Sequence, residues 1–124
     1  YSKYCSNLRK ADWAVSHLWN SIQNTPGMAD NTILIIAPEH GRNLKPNTLV
    51  DAYGRYALDH NSDNTSREIF SLICGPKGVV KRQIRSDVYG ESVDVLPTIA
   101  HILGFHTDLP GGMLDGKVLS EVFE

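Results

Sequence analysis

The sequence predicts an α/β domain in which helices cover a sheet. An amphipathic helical pattern opens the chain, two apolar runs follow it, and a second helical pattern lies near the C-terminus. This order of helix, strand, loop, strand and helix is typical of a sheet covered by helices. The first apolar run is β-branched and does not alternate with polar residues, which favours a strand covered on both faces. We therefore expect part of a sandwiched, mainly parallel sheet with flanking helices.

The opening helix is predicted by apolar or aromatic residues spaced alternately three and four positions apart. This stripe comprises Tyr1, Tyr4, Leu8, Ala11, Val15, Leu18 and Ile22. Trp13 and Trp19 flank the stripe, and we expect them to widen the buried face. The helix should end before Pro26 and Gly27. No capping residue precedes the pattern, which predicts that the chain begins inside a longer domain.

Two strands are predicted at residues 32–37 and 69–74, and Gly-Pro ends the second one. Between them, residues 38–67 lose the apolar periodicity and become rich in Gly, Asn, Asp, Pro and Ser. A structureless loop of this length inside a compact domain usually carries function or is disordered. This loop is therefore the first place to look for functional groups.

The second helix is predicted at residues 93–103, with Ser92 as its N-cap and Gly104 as its C-terminal stop. Pro97 is the one residue that disagrees with the helical pattern. Residues 110–112 predict a turn, and residues 118–123 predict a last short helix.

Composition and charge exclude some classes of partner. A chain of 124 residues with 41% hydrophobic and 21% charged residues is typical of one globular domain or of a piece of a larger one. The net charge of -2 gives no electrostatic reason to expect a nucleic acid or an anionic membrane as partner. The longest apolar run is far shorter than the ~20 residues that cross a bilayer. We expect no nucleic-acid partner and no membrane span.

Glu39, His40 and His60 are the candidate metal ligands. Glu39 and His40 directly follow the first predicted strand, where open α/β sheets gather their ligands. Gly41 permits a sharp turn, so that the carboxylate and the imidazole can reach one cation. His60 lies in the long loop, and three such groups can serve one or two divalent ions. The same three side chains can also be ordinary loop residues, with Glu39 paired to Arg42.

The sequence contains no recognisable nucleophile. It has no Gly-x-Ser-x-Gly motif, and no serine or threonine has neighbours that mark it as activated. The other histidines lack a carboxylate or histidine placed to complete a site, so we interpret them as structural: His17, His101 and His106. We assign no catalytic residue to this chain and expect it to be inactive in isolation.

Four segments of the chain carry motifs in a fixed order. Residues 30–42 join an apolar run to Glu-His-Gly, and residues 67–76 are an apolar run ending in Gly-Pro. Residues 92–104 contain Asp-Val-Leu-Pro-Thr at a predicted helix start, and residues 114–119 read Leu-Asp-Gly-Lys-Val-Leu. Together the four segments resemble the alkaline phosphatase superfamily, which includes phosphatases, phosphodiesterases, sulfatases and cofactor-independent phosphoglycerate mutases.

The resemblance implies a metal-dependent hydrolase of phosphate or sulfate esters with a two-metal site. Glu39 and His40 match the pair that binds one ion, and His60 matches a ligand of the other ion. The family's motif opens with Asp, so Glu39 is a departure that lengthens the side chain by one methylene. The family's nucleophilic Ser or Thr and its other metal ligands should lie upstream of Tyr1. Residues 1–124 are thus interpreted as the C-terminal part of an alkaline phosphatase-like hydrolase domain, incomplete at its N-terminus.

The implied cofactors are two divalent metal ions, and the implied substrate is a small phosphate or sulfate ester. Two imidazoles among three ligands favour zinc or manganese over calcium, which prefers an all-oxygen shell. This preference favours a phosphatase or phosphodiesterase over a sulfatase. The expected protein partner is the missing N-terminal half or a second copy of the chain, reached through exposed apolar surface. The resemblance is compatible with a periplasmic or extracellular location, which the sequence itself does not indicate.

Two other interpretations stay open at this point. One is a degenerate, non-catalytic relative that keeps the scaffold as a binding or structural module. The other is an independent small α/β binding domain. The sequence that precedes Tyr1 would separate them, because an active enzyme needs the nucleophile and the remaining metal carboxylates.

Overall fold

The structure is a computed structural model, and it describes residues 2–44, 50, 52–55, 60, 64–86, 89–106, 110–111 and 113–124. Within these residues, the α-helices are α1 (Ser2–Asn24) and α2 (Val95–Ile102), and the strands are β1 (Leu34–Ile36) and β2 (Leu72–Cys74). Short 3-10 helices cover Asn64–Ser66, Ser92–Asp94 and Ser120–Val122. None of the helices in the described part of the chain combines the length and the hydropathy needed to span a bilayer.

Contacts within the chain divide it into two compact units. The first unit comprises Tyr1–Leu34 and Ile73–Glu124, and the second comprises Ile35–Leu72. The first unit contains both α-helices, whereas the second contains all three predicted metal ligands. The assignment of residues 1–124 to the C-terminal part of a larger hydrolase domain stays a prediction.

The predicted sandwiched, mainly parallel sheet with flanking helices is wrong for this chain. Among the described residues, β1 and β2 form one two-stranded sheet, and each strand has three residues. No residue of either strand is buried, whereas a strand of a sandwiched sheet is covered on both faces. An apolar run is compatible with a strand that is buried on both faces. It does not supply the neighbouring strands and helices that such burial requires. Two strands of three residues each, in the described part of the chain, do not make a layered sheet.

The opening helix is confirmed, but its predicted packing is not. α1 ends at Asn24, before Pro26, as the sequence predicts. Ile22 is the only buried residue of α1, and Trp13 is 67% exposed rather than part of a widened buried face. Three other members of the predicted stripe are exposed: Tyr4, Leu8 and Leu18. Periodicity identifies the helix, but the burial of its apolar face depends on a partner surface that periodicity does not specify.

The apolar core of the first unit is small. Among the described residues, its buried apolar side chains are Ile22, Val80, Pro97, Ala100 and Leu119. Backbone hydrogen bonds hold the C-terminal residues beside Val80: the Lys81 N–H donates to the Val122 carbonyl at 2.9 Å, and the Glu124 N–H donates to the Val79 carbonyl at 3.1 Å. Val80 and Phe123 pair between these hydrogen bonds as an isolated antiparallel bridge.

The start of α2 differs from the prediction. The 3-10 helix Ser92–Asp94 precedes α2, and Glu91 rather than Ser92 occupies the N-cap position before it. Because α2 itself begins at Val95, Pro97 lies in its first turn. Backbone N–H groups of a first turn have no partner within the helix, so the missing N–H of Pro97 removes no helical hydrogen bond.

The end of α2 agrees with the prediction. Gly104 adopts a φ of 79°, and its N–H donates to the His101 carbonyl at 3.0 Å. The Phe105 N–H donates to the Ala100 carbonyl, also at 3.0 Å, which completes a Schellman motif. The last predicted helix is shorter than expected and consists of the 3-10 turn Ser120–Val122. Of the predicted turn at residues 110–112, the last residue lies outside the described residues.

Asp94 ties the start of α2 to the segment that follows residue 115. Its Oδ2 accepts the Glu91 N–H and its Oδ1 accepts the Lys117 N–H, each at 2.8 Å. Thr98 Oγ1 donates to the Asp94 carbonyl at 2.7 Å and accepts the Leu119 N–H at 3.0 Å. Asp94 and Thr98 are both buried. The backbone hydrogen bonds from Glu91 and Lys117 lower the pKa of Asp94 below its ordinary value of 3.8, so the carboxylate stays ionised at neutral pH.

Exposed apolar side chains on both helices predict self-association. Leu96 and Leu103 of the α2 region are 62% and 65% exposed, and α1 exposes Leu8 and Trp13. Large side chains exposed to this extent leave apolar area that association between chains can bury. We expect the chain to form oligomers and to bind a hydrophobic dye, measured by light scattering over a range of concentrations and by dye fluorescence.

A matched variant tests whether the α2 surface contributes to this association. Leu96→Lys should reduce dye binding and shift the chain towards the monomer, because Leu96 is exposed and its replacement costs little packing. Lys10→Gln, on the polar surface of α1, serves as the control. A compact monomer at high concentration that binds no dye would contradict the prediction.

Candidate metal site

Glu39 and His40 follow β1 and lie side by side in the second unit. Glu39 Oε2 lies 3.2 Å from His40 Nε2, and the Glu39 side chain is 88% exposed. On the other side of the imidazole, His40 Nδ1 lies 2.6 Å from the Gly41 carbonyl oxygen. A carbonyl oxygen can only accept a hydrogen bond, so Nδ1 carries the proton and donates it. His40 therefore presents Nε2 to the Glu39 carboxylate.

The contact between His40 Nε2 and the Glu39 carboxylate, at 3.2 Å, fits two arrangements. A second ring proton gives an ordinary ion pair. A metal ion is the other solution, because two ligand atoms ~2.0–2.2 Å from a tetrahedral ion lie about 3.3–3.6 Å apart. The observed separation is close to this value.

His60 approaches His40 from the long loop. The two imidazole rings stack with 3.8 Å between their centroids and 19° between their planes. The lone pair of an imidazole nitrogen lies in the plane of its ring, so an ion in the plane of one ring lies outside the plane of the other. The two nearly parallel rings therefore do not direct their lone pairs at one shared point.

The three predicted ligands form two pairwise contacts, both of which involve His40. The structure brings Glu39 to His40 and His40 to His60. In the part of the chain that the structure describes, no group of three or more His, Cys, Asp or Glu side chains is arranged to hold a metal ion. Their assignment as metal ligands stays a prediction.

A 3-10 turn in the second unit packs on the backbone that follows His40. The Gly41 N–H donates to the Ser66 carbonyl at 2.7 Å, and Thr65 Oγ1 donates to the Arg42 carbonyl at 2.9 Å. A Cβ on Gly41 would collide with the carbonyl oxygens of Thr65 and Glu68. The sequence predicted that Gly41 permits a sharp turn, but its φ lies outside the left-handed region. Glycine is required here for space.

Sequence reasoning did not find this turn. Thr65 and Ser66 lie in a polar run without periodicity, and nothing in their spacing indicates a contact with residues 41 and 42. Two of the histidines interpreted as structural contact aromatic rings in the first unit. His17 stacks on Trp13 with 5.2 Å between ring centroids, and His101 lies 5.5 Å from the Phe123 ring.

A second group of charged residues surrounds an open cleft of about 790 Å³ next to Asp94. Glu91, Asp115 and Lys117 also line this cleft. Both Asp94 carboxylate oxygens accept backbone N–H groups, and Lys117 Nζ donates to the Tyr89 carbonyl at 3.1 Å. The charged groups of Asp94 and Lys117 are thus hydrogen-bonded within the fold, so we interpret this cleft as structural.

The chain has no match among models of protein families, curated proteins or solved structures. The resemblance to the alkaline phosphatase superfamily therefore depends on the four sequence motifs. The geometry around His40 is independent of that resemblance.

Proposed function

We propose that this chain is part of a metal-dependent hydrolase of phosphate or sulfate esters and that Glu39, His40 and His60 are ligands in its two-metal site. The observation that carries the proposal is the geometry of His40. Its Nδ1–H is held by the Gly41 carbonyl, and its Nε2 faces the Glu39 carboxylate at 3.2 Å. Metal-binding histidines usually donate their other ring N–H to a backbone carbonyl or a carboxylate, which fixes the tautomer.

The donor chemistry of these side chains supports zinc or manganese as the metal. Two imidazole nitrogens and one carboxylate suit borderline ions, whereas calcium prefers oxygen ligands alone. Glu39 and His40 would hold one ion, and His60 would contribute to the other. The stacking of the two rings at 3.8 Å supports this division.

In the proposed mechanism the residues of this chain bind and orient, and they do not attack the substrate. Bound divalent ions would activate a hydroxyl nucleophile and stabilise the leaving oxygen of the ester. Glu39 supplies negative charge, and Gly41 holds His40 with Nε2 available. Ring stacking limits the rotation of His60 relative to His40. We assign the nucleophile to a segment other than residues 1–124, because no serine or threonine of the sequence has neighbours that indicate an activated hydroxyl.

A non-catalytic binding or structural module is the second candidate. The 88% exposure of the Glu39 side chain favours it, because an exposed pair with His40 also fits an ordinary surface ion pair. Such pairs contribute only about 0–1 kcal/mol to stability. In that case Glu39 and His40 would need no metal.

Substitutions of Glu39 test the proposal by direct measurement of metal binding. The purified chain should bind Zn²⁺ or Mn²⁺ in a calorimetric titration. Glu39→Gln keeps the size of the side chain and removes its charge, so it should weaken binding about tenfold or more. Glu39→Asp restores the ligand that the resemblance implies and should retain binding.

Glu124→Gln is the matched control for Glu39→Gln, because it removes an exposed carboxylate in the first unit. It should leave metal affinity unchanged. If the wild-type chain binds neither ion, the metal-site proposal fails, and Glu39 and His40 form a surface ion pair instead. Release of a chromogenic phosphate or sulfate ester by the chain alone, above a metal-only blank, would contradict our placement of the nucleophile.

A further inference from the structure

We infer that the turn at residues 64–68 sets the ring orientation and the tautomer of His40 through the backbone of Gly41. Gly41 and Thr65 would then be positioning residues of the site. The inference rests on the proposed function only for its consequence in metal binding. Its structural part concerns the imidazole of His40 and stands without a metal.

Gly41 joins the turn directly to the His40 ring. Its N–H donates to the Ser66 carbonyl at 2.7 Å, while its own carbonyl accepts the His40 Nδ1–H at 2.6 Å. Gly41 thus contacts the turn through its N–H and the imidazole through its carbonyl. Because the acceptor is a backbone carbonyl, it cannot rotate independently of the chain. A displacement of Ser66 therefore moves the Gly41 backbone that carries the acceptor of Nδ1.

The approach of the turn to Gly41 leaves no room for a side chain. A Cβ at this position would collide with the carbonyl oxygens of Thr65 and Glu68. Both obstacles are backbone atoms, which cannot move aside by changing a rotamer. Gly41→Ala must therefore shift the turn, the residues around position 41, or both. The φ of Gly41 is not left-handed, so the effect of alanine would be one of space and not of backbone strain.

Thr65 supplies a second point of attachment. Its Oγ1 donates to the Arg42 carbonyl at 2.9 Å, so the turn contacts the chain on both sides of the Gly41 carbonyl. Two attachments fix the direction of that carbonyl more firmly than one. His60 lies four positions before Asn64 in the same stretch of sequence. The segment that carries His60 thus also anchors the backbone next to His40.

The tautomer matters because it decides which nitrogen can bind a ligand. With Nδ1–H donated to Gly41, only Nε2 offers a lone pair, and Nε2 is the nitrogen beside Glu39. Loss of a contact that orients a metal-binding histidine typically lowers metal affinity about 10–100-fold. The turn would therefore control affinity without touching the ion.

The test uses Thr65→Val, which removes the hydroxyl donor at nearly constant volume, and Thr65→Ser, which retains it. The ring nitrogen shifts of His40 are measured by ¹⁵N NMR in metal-free protein at mildly alkaline pH. Zn²⁺ affinity is measured separately by calorimetry. Thr65→Val should move the ring from the Nδ1–H tautomer towards a mixture and lower Zn²⁺ affinity about tenfold. Thr65→Ser should behave as wild type.

Thr25→Val is the matched control, because Thr25 Oγ1 also donates to a backbone carbonyl, that of Ser21 at 2.7 Å in the first unit. It should change neither the His40 spectrum nor the Zn²⁺ affinity. Gly41→Ala is the second variant and should disturb the His40 shifts more than Thr65→Val. Circular dichroism establishes that each variant is folded.

The outcomes separate the inference from the proposed function. If folded Thr65→Val and Gly41→Ala both retain the wild-type His40 ring spectrum, the positioning role is overturned, whatever the metal affinity. If the ring shifts respond as expected but wild type binds neither Zn²⁺ nor Mn²⁺, the proposed function fails and the positioning role is supported. If wild type binds Zn²⁺ and Thr65→Val changes both readouts, both are supported.

Discussion

Replacing His40 by alanine in the intact protein should remove about one metal ion per chain and lower turnover by orders of magnitude. His60→Ala should weaken the other ion and lower turnover as well, because each ion of such a site acts on a different oxygen of the transferring group. Elemental analysis of the purified variants, together with steady-state kinetics on a chromogenic ester, measures both effects. The parallel ring planes of the two histidines are the structural reason for expecting separate ions.

His17→Ala is the control for these two substitutions. It removes an imidazole that stacks on Trp13 in the first unit, so it should leave metal content and turnover unchanged. If wild type purified without chelators contains no divalent metal, cannot be loaded with zinc or manganese, and matches both histidine variants in activity, the metal-hydrolase proposal fails. Glu39, His40 and His60 would then be ordinary loop residues.

Asp94→Asn should lower the free energy of unfolding of the first unit by about 2–4 kcal/mol. Hydrogen bonds to charged groups contribute about 1.5–3 kcal/mol each, and asparagine keeps one acceptor while turning an NH₂ group towards the other backbone N–H. Asp94 is buried, which limits how far water can replace the lost acceptor. Urea unfolding followed by circular dichroism measures the change. Asp115→Asn, an exposed neighbour, should have little effect.

The stabilisation by Asp94 should also depend on pH. Its pKa is lower in the folded chain than the ordinary 3.8, because Glu91 and Lys117 donate backbone N–H groups to it. The ionised carboxylate therefore contributes its full stability above pH 3.8 and loses it as the pH falls through the folded-state pKa. The stability difference between wild type and Asp94→Asn should shrink in that range. A difference that stays constant from neutral pH to about pH 2 would show that the charge of Asp94 is not the cause.

The sequence predicts helices better than it predicts the fold of this chain. The apolar period of α1 and the glycine at position 104 identify a helix and a helix end, because both signals are local. The strands are shorter than their apolar runs, and the predicted covered sheet is absent from the described residues. Burial of a strand on both faces depends on contacts with segments that are distant in the sequence. An apolar run alone does not specify these contacts. Trp13 is exposed for the same reason.

The candidate site shows the same division between local and distant contacts. Glu39 and His40 are adjacent in the sequence, so their proximity could be predicted, whereas the resemblance was needed to connect His60 with them. The contact of Thr65 with Arg42 spans 23 positions and has no periodic signature. The sequence predicted Gly41 for a sharp turn of the backbone. In the structure, glycine is needed because the carbonyls of the distant turn leave no space for a Cβ.

The hydrogen bonds of Asp94 and Thr98 have a consequence for the order of folding. They close loops of only 23 and 21 positions, to Lys117 and Leu119 respectively. Short loops cost less chain entropy to close than long ones, and contacts of this range favour rapid folding. The contacts of Asp94 with Lys117 and of Thr98 with Leu119 can therefore form before the C-terminal residues pair with the residues around Val80.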